Sequence, residues 1–518
     1  MSIEHSGINK WLRFFRLGNR KGPYTRVIWK NAIKNQQAEP LLYFEPESRE
    51  ELVEVVNRAC QKGLRVRVVG SGHSFSEAAV CNDYLINMFR LNRPLEIKPS
   101  AWLDHWNNKP LVNVEGGMSI KEFNAYLDTL DYAIVNMGGV NHQSLAGALS
   151  TGTHGSGRRL PAISGMVRSM LIIGEDGQQF RIESADNPLS KPVGFDEPGV
   201  TLIQDNDVFN SVLVNLGTMG IIYSMVMEVL PMYWLKEQRF KRSWKEVKEQ
   251  LLDGRLFINP ETGQEYRSIM VRINPYEVEA GKDHTCLLIV NDIIEKPTSL
   301  NFRQRTRKVI LQLVDAIKIM PRIFKLLMHW FPSSIPKFVE RSLRSEYDKE
   351  YVNRAHKVLY LGLVNLKEHG YESEFAFPEH KKEYLDAVEQ LFGIAKNISE
   401  SSAIYQTSQI GLRFVAGSSA FLTPESGYDV CYIDVPFAYK TRGAQSILEK
   451  YQDAMLERGA RPHWGKMNNR LTPERAVELL KSYPGFPVWK RVHDRFNPKG
   501  TFTGPFAERL GILPPAQK

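Results

Sequence analysis

The first 230 residues alternate between stretches with a helical apolar repeat and short stretches that read as strands. From Glu47 to Gly63 the apolar residues Leu52, Val55, Val56 and Ala59 recur at helical spacing and share one side. Ser48 stands where an N-cap belongs, Glu51 follows three residues on, and Gly63 suits the position just past the last turn. A β-branched strand, Leu64–Val69, follows at once. Leu85–Met88 and Leu111–Val114 predict further strands, and Ser119 with Glu122 opens a helix over Ile120–Thr129. Ser169–Gly174 and Gln178–Ile182 flank Glu175-Asp176-Gly177, whose Asp-Gly pair predicts a hairpin. Ile221–Leu230 runs apolar up to Pro231, where we place a domain boundary.

Beyond Pro231 the pattern is sparser. It predicts strands over Ser268–Ile273, Cys286–Asn291, Leu359–Leu363, Gly411–Val415 and Val430–Val435. Helices are predicted over Trp244–Leu252, Lys308–Phe331, Lys381–Phe392 and Ala444–Arg458. The class is α+β: a first part over 26–231, a second over 232–461 built on an antiparallel sheet flanked by helices, and a C-terminal segment, 462–518, returning to the first.

Composition removes several function classes. The 518 residues carry four cysteines, Cys60, Cys81, Cys286 and Cys431, with no C-x-x-C pair. That argues against a disulfide framework or a zinc site and fits a reducing compartment. No apolar run is long and clean enough to cross a bilayer, and Met1–Arg20 lacks an apolar core and a cleavage site, so a cytoplasmic location is expected. The formal charge is +9. Phe302–Ser345 holds ten Lys and Arg (Arg303, Arg305, Arg307, Lys308, Lys318, Arg322, Lys325, Lys337, Arg341, Arg344) against Asp315 and Glu340. A surplus this local argues against a nucleic-acid binder. Within it, Val309–Phe331 is apolar but punctuated by charge, which suits an interfacial helix with a basic face on a membrane surface. The alternative is a helix of the second domain with solvated lysines.

The candidate chemistry lies in glycine-rich segments. Gly70-Ser71-Gly72-His73-Ser74-Phe75 follows a strand, where glycines let backbone N–H groups turn toward a phosphate. Its spacing is not that of the dinucleotide fingerprint, which needs a third glycine. Gly138 to Gly157 is too rich in small residues for a core strand and suits backbone approaching a large flat ligand. Gly217-Thr218-Met219-Gly220-Ile221-Ile222 is a third such place, and Pro462-His463-Trp464-Gly465-Lys466 a fourth.

In this order the four segments resemble the FAD-linked oxidases of the vanillyl-alcohol oxidase superfamily. The likeness is to their gulonolactone, arabinonolactone and alditol oxidase branch, strongly over 25–235 and in pieces over 400–510. The resemblance implies a two-subdomain FAD-binding domain of the PCMH type plus a substrate domain. It implies hydride transfer from a CH–OH carbon to the flavin, which O2 or another acceptor then reoxidises. His73 falls at the histidine bonded covalently to FAD. Gly70, Ser71, Gly72, Ser74 and Phe75 would wrap the pyrophosphate. Gly139, Ser144, Gly147, Ala148, Leu149 and Ser150 would line the ring and ribityl chain, and Ile222 the adenine side. His463 would lie on the flavin, with Lys466 and Arg413 as electrostatic catalytic groups. His142 and His154 are assigned no role. Gly139 would leave oxygen room to reach the ring.

One departure stands out. The family's acid, one spacer and arginine appear here as Gly411-Leu412-Arg413, and Pro436 falls where a threonine is expected. Losing two polar partners predicts a roomier, more apolar pocket, because an unpaired buried hydroxyl costs about 1–3 kcal/mol. The substrate would then be an alcohol, polyol or sugar lactone, or a lipid-linked sugar or sterol-like alcohol met at a membrane. A catalytically inactive flavin protein is the remaining alternative. Glu425 and Asp429 are candidates to restore the missing acid.

Overall fold

The helix Arg49–Gln61 forms as its pattern dictates: Ser48 Oγ accepts the Glu51 N–H, and Leu52, Val55, Val56 and Ala59 are buried. They pack on Val66, Tyr84 and Ile86, which belong to a three-stranded parallel sheet in the order Leu42–Phe44, Tyr84–Asn87, Val66–Val69. The structure is a computed structural model that describes residues 22–97, 102–106, 108–193, 195–278, 283–299, 329–361, 369–438 and 441–515.

A second sheet of six strands has the order Val200–Gln204, Gln179–Glu183, Val167–Ile173, Ile221–Glu228, Leu111–Glu115, Pro94–Leu95. The predicted hairpin is there, with Asp176 and Gly177 both at positive φ (55° and 68°). Strand alternation puts Val112, Val114, Met170, Ile172, Met225 and Met227 on one face. They share a core with Ile120, Phe123 and Leu127 of one helix and Val208 and Val212 of another. Trp464, Trp489, Phe496 and Phe506 from the far end of the chain fill the same core.

The third sheet is antiparallel and eight-stranded. Its order is Glu350–Arg354, Trp234–Ser243, Thr285–Ile294, Ser268–Ile273, Ile410–Val415, Val430–Ala438, His369–Pro378, Arg461–Pro462. One face carries Ile269, Val271, Leu412, Phe414, Ile433, Phe375 and Phe377, packed on the helices Trp244–Asp253, Glu383–Ser402 and Ala444–Glu457. The other face is charged, and the site is built there.

Four elements differ from the sequence reading. Leu359 ends a helix, Ala355–Leu359, rather than starting a strand, because Ala355 and Val358 sit three apart and pack together against Leu235 and Tyr351; residues 362 and 363 lie outside the described residues. The helix expected from Lys381 starts at Glu383 and runs to Ser402, with Ala395 and Ile398 extending its buried stripe. The long strands Trp234–Ser243 and His369–Pro378 escaped notice because polar residues run consecutively along them (Lys236, Glu237, Gln238, Arg239; Glu372, Ser373, Glu374) and hide the strand alternation. Most of the predicted helix Lys308–Phe331 lies outside the described residues.

Candidate active site

The strand Val66–Val69 delivers the chain into the loop 70–76, which is held from behind. Asn31 Nδ2 donates to Ser74 O at 2.9 Å, Asn35 Nδ2 to Phe75 O at 2.8 Å, and Ala32 N to Gly72 O at 2.8 Å. Gly72 has φ of +67°, which a side chain would strain. With the carbonyls tied back, Gly70, Ser71, Gly72, His73, Ser74 and Phe75 all line a cleft of about 1310 Å³ that opens to solvent. The second loop meets the first directly: a Cβ on Gly70 would fall on Ser144 Oγ. Ser144, Gly147, Ala148 and Ser150 line the same cleft, as do Ile222, His463 and Lys466.

Arg67 was not singled out in the sequence, yet it holds this cleft together. Its guanidinium is buried beneath the loops and donates to the carbonyls of Ala78, Leu216, Gly217 and Phe502. Burial lowers its pKa to about 10, so it stays cationic at neutral pH. None of these partners is a carboxylate. A cation without an acid, under loops whose glycines leave backbone bare, suits a diphosphate dinucleotide such as FAD. The sequence signal was an arginine on the inward side of a β-branched strand.

Two expected cofactor residues sit elsewhere. Leu149 is fully buried and packs into the core of the six-stranded sheet, because the six-residue helix Leu145–Ser150 turns it away from the cleft. Gly139 lines a separate, smaller cavity together with Arg413, Glu237 and Leu361. A Cβ on Gly139 would stand 2.6 Å from Leu361 Cδ1, and Leu361 N donates to Gly139 O at 3.1 Å. The room expected above Gly139 is therefore filled by Leu361.

The charged face of the eight-stranded sheet supplies what Gly411 lacks. Across the register Arg272, Gly411, Asp434 and Glu374 form one row, and Met270, Arg413, Tyr432 and Ala376 the next. A Cβ built on Gly411 would lie 3.4 Å from Asp434 Cβ, so Asp434 borders the space an acid at 411 would use. Arg413 Nη2 bonds to Asp434 Oδ2 at 3.3 Å, and Lys466 Nζ to Glu372 Oε2 at 2.5 Å. Glu372 is the one carboxylate among the described residues lining the large cleft. The pocket expected to be apolar thus has three carboxyls and two cations at its wall. Glu425 and Asp429 do not provide the acid. Glu425 accepts the Tyr432 O–H at 2.5 Å, and Asp429 accepts the Gly417 N–H at 2.8 Å in a loop. The readable signal was Glu372-Ser373-Glu374, two acids at strand spacing on one face.

Electrostatics sort these groups. Burial pushes the Glu372 carboxyl up, but the Lys466 ammonium and a hydrogen bond with Asp434 outweigh it and hold it at about 2. Glu374 is likewise held down, against burial, by His154, Arg413 and Lys466. Asp434 goes the other way: burial and the charges of Glu372 and Glu374 push it well above the usual carboxylate range. Burial opposes the Lys466 charge, but Glu372, Glu374 and Asp434 overcome it and raise its pKa.

His463 is buried and burial lowers its pKa to about 3, so the ring is neutral. Its Nδ1 accepts the Gly465 N–H at 3.0 Å, which places the ring proton on Nε2. His154 stacks on Tyr432 at 3.7 Å and points Nε2 at Glu374 Oε1, 3.5 Å away. His154, Glu374 and His463 have metal-ligand spacing, but the Nδ1 of His463 is already occupied by a backbone N–H, which leaves a poor metal set. His73 lies parallel to His142, with ring centroids 6.3 Å apart.

Comparison with known proteins agrees with this geometry. The chain matches the FAD binding domain over residues 40–183 and D-arabinono-1,4-lactone oxidase over residues 282–510. It is 26% identical over 492 residues to the L-gulono-1,4-lactone dehydrogenase of Mycobacterium tuberculosis, covering 93% of this chain and 99% of that one. It is 24% identical to the L-gulonolactone oxidase of Bos taurus, covering 94% and 99%. In fold it is similar to cholesterol oxidase from Brevibacterium sterolicum, with a TM-score of 0.69, 12% identity and coverage of 99% and 100%. The protein is an FAD-dependent oxidoreductase acting on CH–OH donors. It is similar to the FAD-linked gulonolactone and arabinonolactone oxidases.

Proposed function

We propose that the substrate is a sugar lactone or closely related polyol, oxidised at a carbon bearing a hydroxyl and reoxidised through O2 or another acceptor. The observation that carries this reading is the polar wall at the mouth of the flavin cleft: Glu372, Lys466 and His463 line it, and Asp434 and Arg413 back it. Several hydroxyls need several partners, since each one buried unpaired costs about 1–3 kcal/mol. A sterol-like alcohol, with one hydroxyl, would leave these charges uncompensated. FAD, when bound, supplies the two-electron acceptor for a hydride. Lys466 would hold negative charge developing on the substrate oxygen, Arg413 would fix the carboxyl wall through Asp434, and neutral His463 would offer its Nε2 proton to the ring. His73 would carry the covalent bond to FAD. The test is anaerobic mixing with L-gulono-1,4-lactone, D-arabinono-1,4-lactone and cholesterol. The lactones should bleach the flavin band and cholesterol should not. Bleaching by cholesterol alone overturns the lactone reading, and bleaching by no alcohol at all supports an inactive flavin protein instead.

A membrane-facing surface has its own observation in support. Trp330 and Phe331 are adjacent, each 64% exposed, and lead into the helix Ile335–Arg344, which presents Lys337 and Arg341. Aromatic side chains beside lysine and arginine suit the headgroup layer of an anionic bilayer. Flotation with vesicles containing phosphatidylserine should carry the protein upward at low salt, and the double variant Trp330→Ser, Phe331→Ser should stay at the bottom. Equal flotation of both, or of neither, removes this surface from consideration.

A further inference from the structure

We propose that Glu372 is the catalytic base that takes the substrate hydroxyl proton, and that Asp434 is its positioning partner. This rests on the reading of the cleft as a CH–OH oxidation site.

The reaction removes a hydride from carbon and a proton from oxygen. The C–H bond breaks with its electron pair going to FAD, the O–H bond breaks with its pair staying on oxygen to form the carbonyl, and the proton needs an acceptor. Among the described residues at the Lys466 end of the cleft, the candidates are few. Lys466 is cationic and bonded to Glu372 at 2.5 Å. His463 has its Nδ1 lone pair engaged by Gly465 N–H, so its exposed edge donates. Glu374, His154 and Asp434 are buried beneath the wall. Glu372 is the only carboxylate among the described residues that reaches the cleft surface.

Its surroundings keep it ionised and in place. The cluster holds three carboxyls (Glu372, Glu374, Asp434), with Lys466 and Arg413 beside them and Arg272 in the same row. Of the three, Asp434 is the one that burial and the charges of Glu372 and Glu374 push above the usual carboxylate range, because two ionised carboxylates so close favour a third that keeps its proton. That proton belongs on Asp434. Asp434 Oδ1 is buried without a donor of its own, and the Asp434 carboxyl is hydrogen-bonded with Glu372. A neutral Asp434 leaves Glu372 ionised, with Lys466 on one side and the Asp434 O–H on the other. The chain also fixes Glu372 through its backbone: Met467 N donates to Glu372 O at 2.9 Å, so base and lysine are carried on hydrogen-bonded neighbouring segments. The position of the base off Gly411 explains how the site dispenses with an acid there. Gly411 faces Asp434 across the ladder, and the proton-holding acid stands on the adjacent strand.

The test uses the flavin-loaded protein and a lactone that bleaches wild type. Glu372→Gln should keep its yellow colour and slow the reductive half-reaction by 10²-fold or more, within the range general bases contribute. The wild-type reductive rate should fall in acid as Glu372 protonates, and that limb should disappear in Glu372→Gln. Asp434→Asn should keep the limb and move it, and its infrared spectrum should lose a buried protonated-carboxyl band present in wild type. A Glu372→Gln variant that bleaches at the wild-type rate overturns the proposal while leaving the oxidase reading intact. A carboxyl band unchanged in Asp434→Asn overturns the shared-proton part. Failure of wild type to bleach with any lactone or polyol would instead count against the underlying function.

Discussion

Lys466→Met should lower the rate of flavin reduction by lactone by about 10²–10³-fold, the range seen when a single preorganised group facing a developing oxyanion is removed. The substitution keeps the side chain's length and apolar stem, so the fold should survive. What changes is the charge count. Lys466 is bonded to Glu372 and lies near Glu374 and Asp434, and its loss leaves the three carboxyls with one cation fewer. The Glu372 carboxyl, now held at about 2 by Lys466 and Asp434 against burial, should rise. Any residual activity should therefore show its acid limb at higher pH than wild type. The sign for stability runs the same way. A carboxyl depressed in the folded protein stabilises it above the unfolded value, near 4.5, and that contribution is lost as pH falls toward 2. Lys466→Met should accordingly lose less stability than wild type over that acid interval. Stopped-flow reduction and urea melts at several pH values measure both effects, and an unchanged reduction rate would remove Lys466 from the mechanism.

His73→Ala should convert the flavin from a permanent part of the protein into an exchangeable ligand. Wild type, precipitated in acid, should keep its yellow fluorescence in the pellet; the variant should release it to the supernatant. The loop around residue 73 is tied from behind by Asn31 and Asn35, so the cleft should still form and still accept FAD. Binding then follows mass action. At a hundredfold excess of FAD over Kd the folded state gains about 2.7 kcal/mol, and dialysis removes that gain. Melting temperature should thus depend on added FAD in the variant and not in wild type. Flavin that washes freely out of acid-treated wild type would refute the bond.

Both experiments act on residues that were legible before the fold was known, and the reason is local. A loop that must bare its amides needs glycines at fixed spacing, and those glycines are visible as letters. Gly70, Gly72 and Gly147 were found this way, and each lines the cleft. Leu149 and Gly139 were misplaced for a different reason. The loop was identified correctly, but which side of a six-residue helix faces the cleft, and which side chain from residue 361 fills the space above, are tertiary facts. The carboxyl wall was missed because its members come from separate strands. Glu372 and Glu374 stand some 60 positions from Asp434 in the chain, and only the antiparallel register brings them together. Gly411 looked like a deletion when read along its own strand. Read across the ladder, it faces an acid.

The segment from Arg461 to Lys466 belongs to two neighbours at once. Arg461 and Pro462 extend the edge of the eight-stranded sheet beside Phe375 and Ala376, while Trp464 is buried in the core of the six-stranded one. Farther on, Phe502 O receives Arg67 and Thr501 O receives the Val66 N–H, closing the floor under the first loop. During synthesis, then, the cofactor chamber lacks a wall and part of its base until nearly the whole polypeptide has left the ribosome. Flavin capture is a late checkpoint, and a chain interrupted before residue 461 should emerge colourless however well its earlier portions have folded.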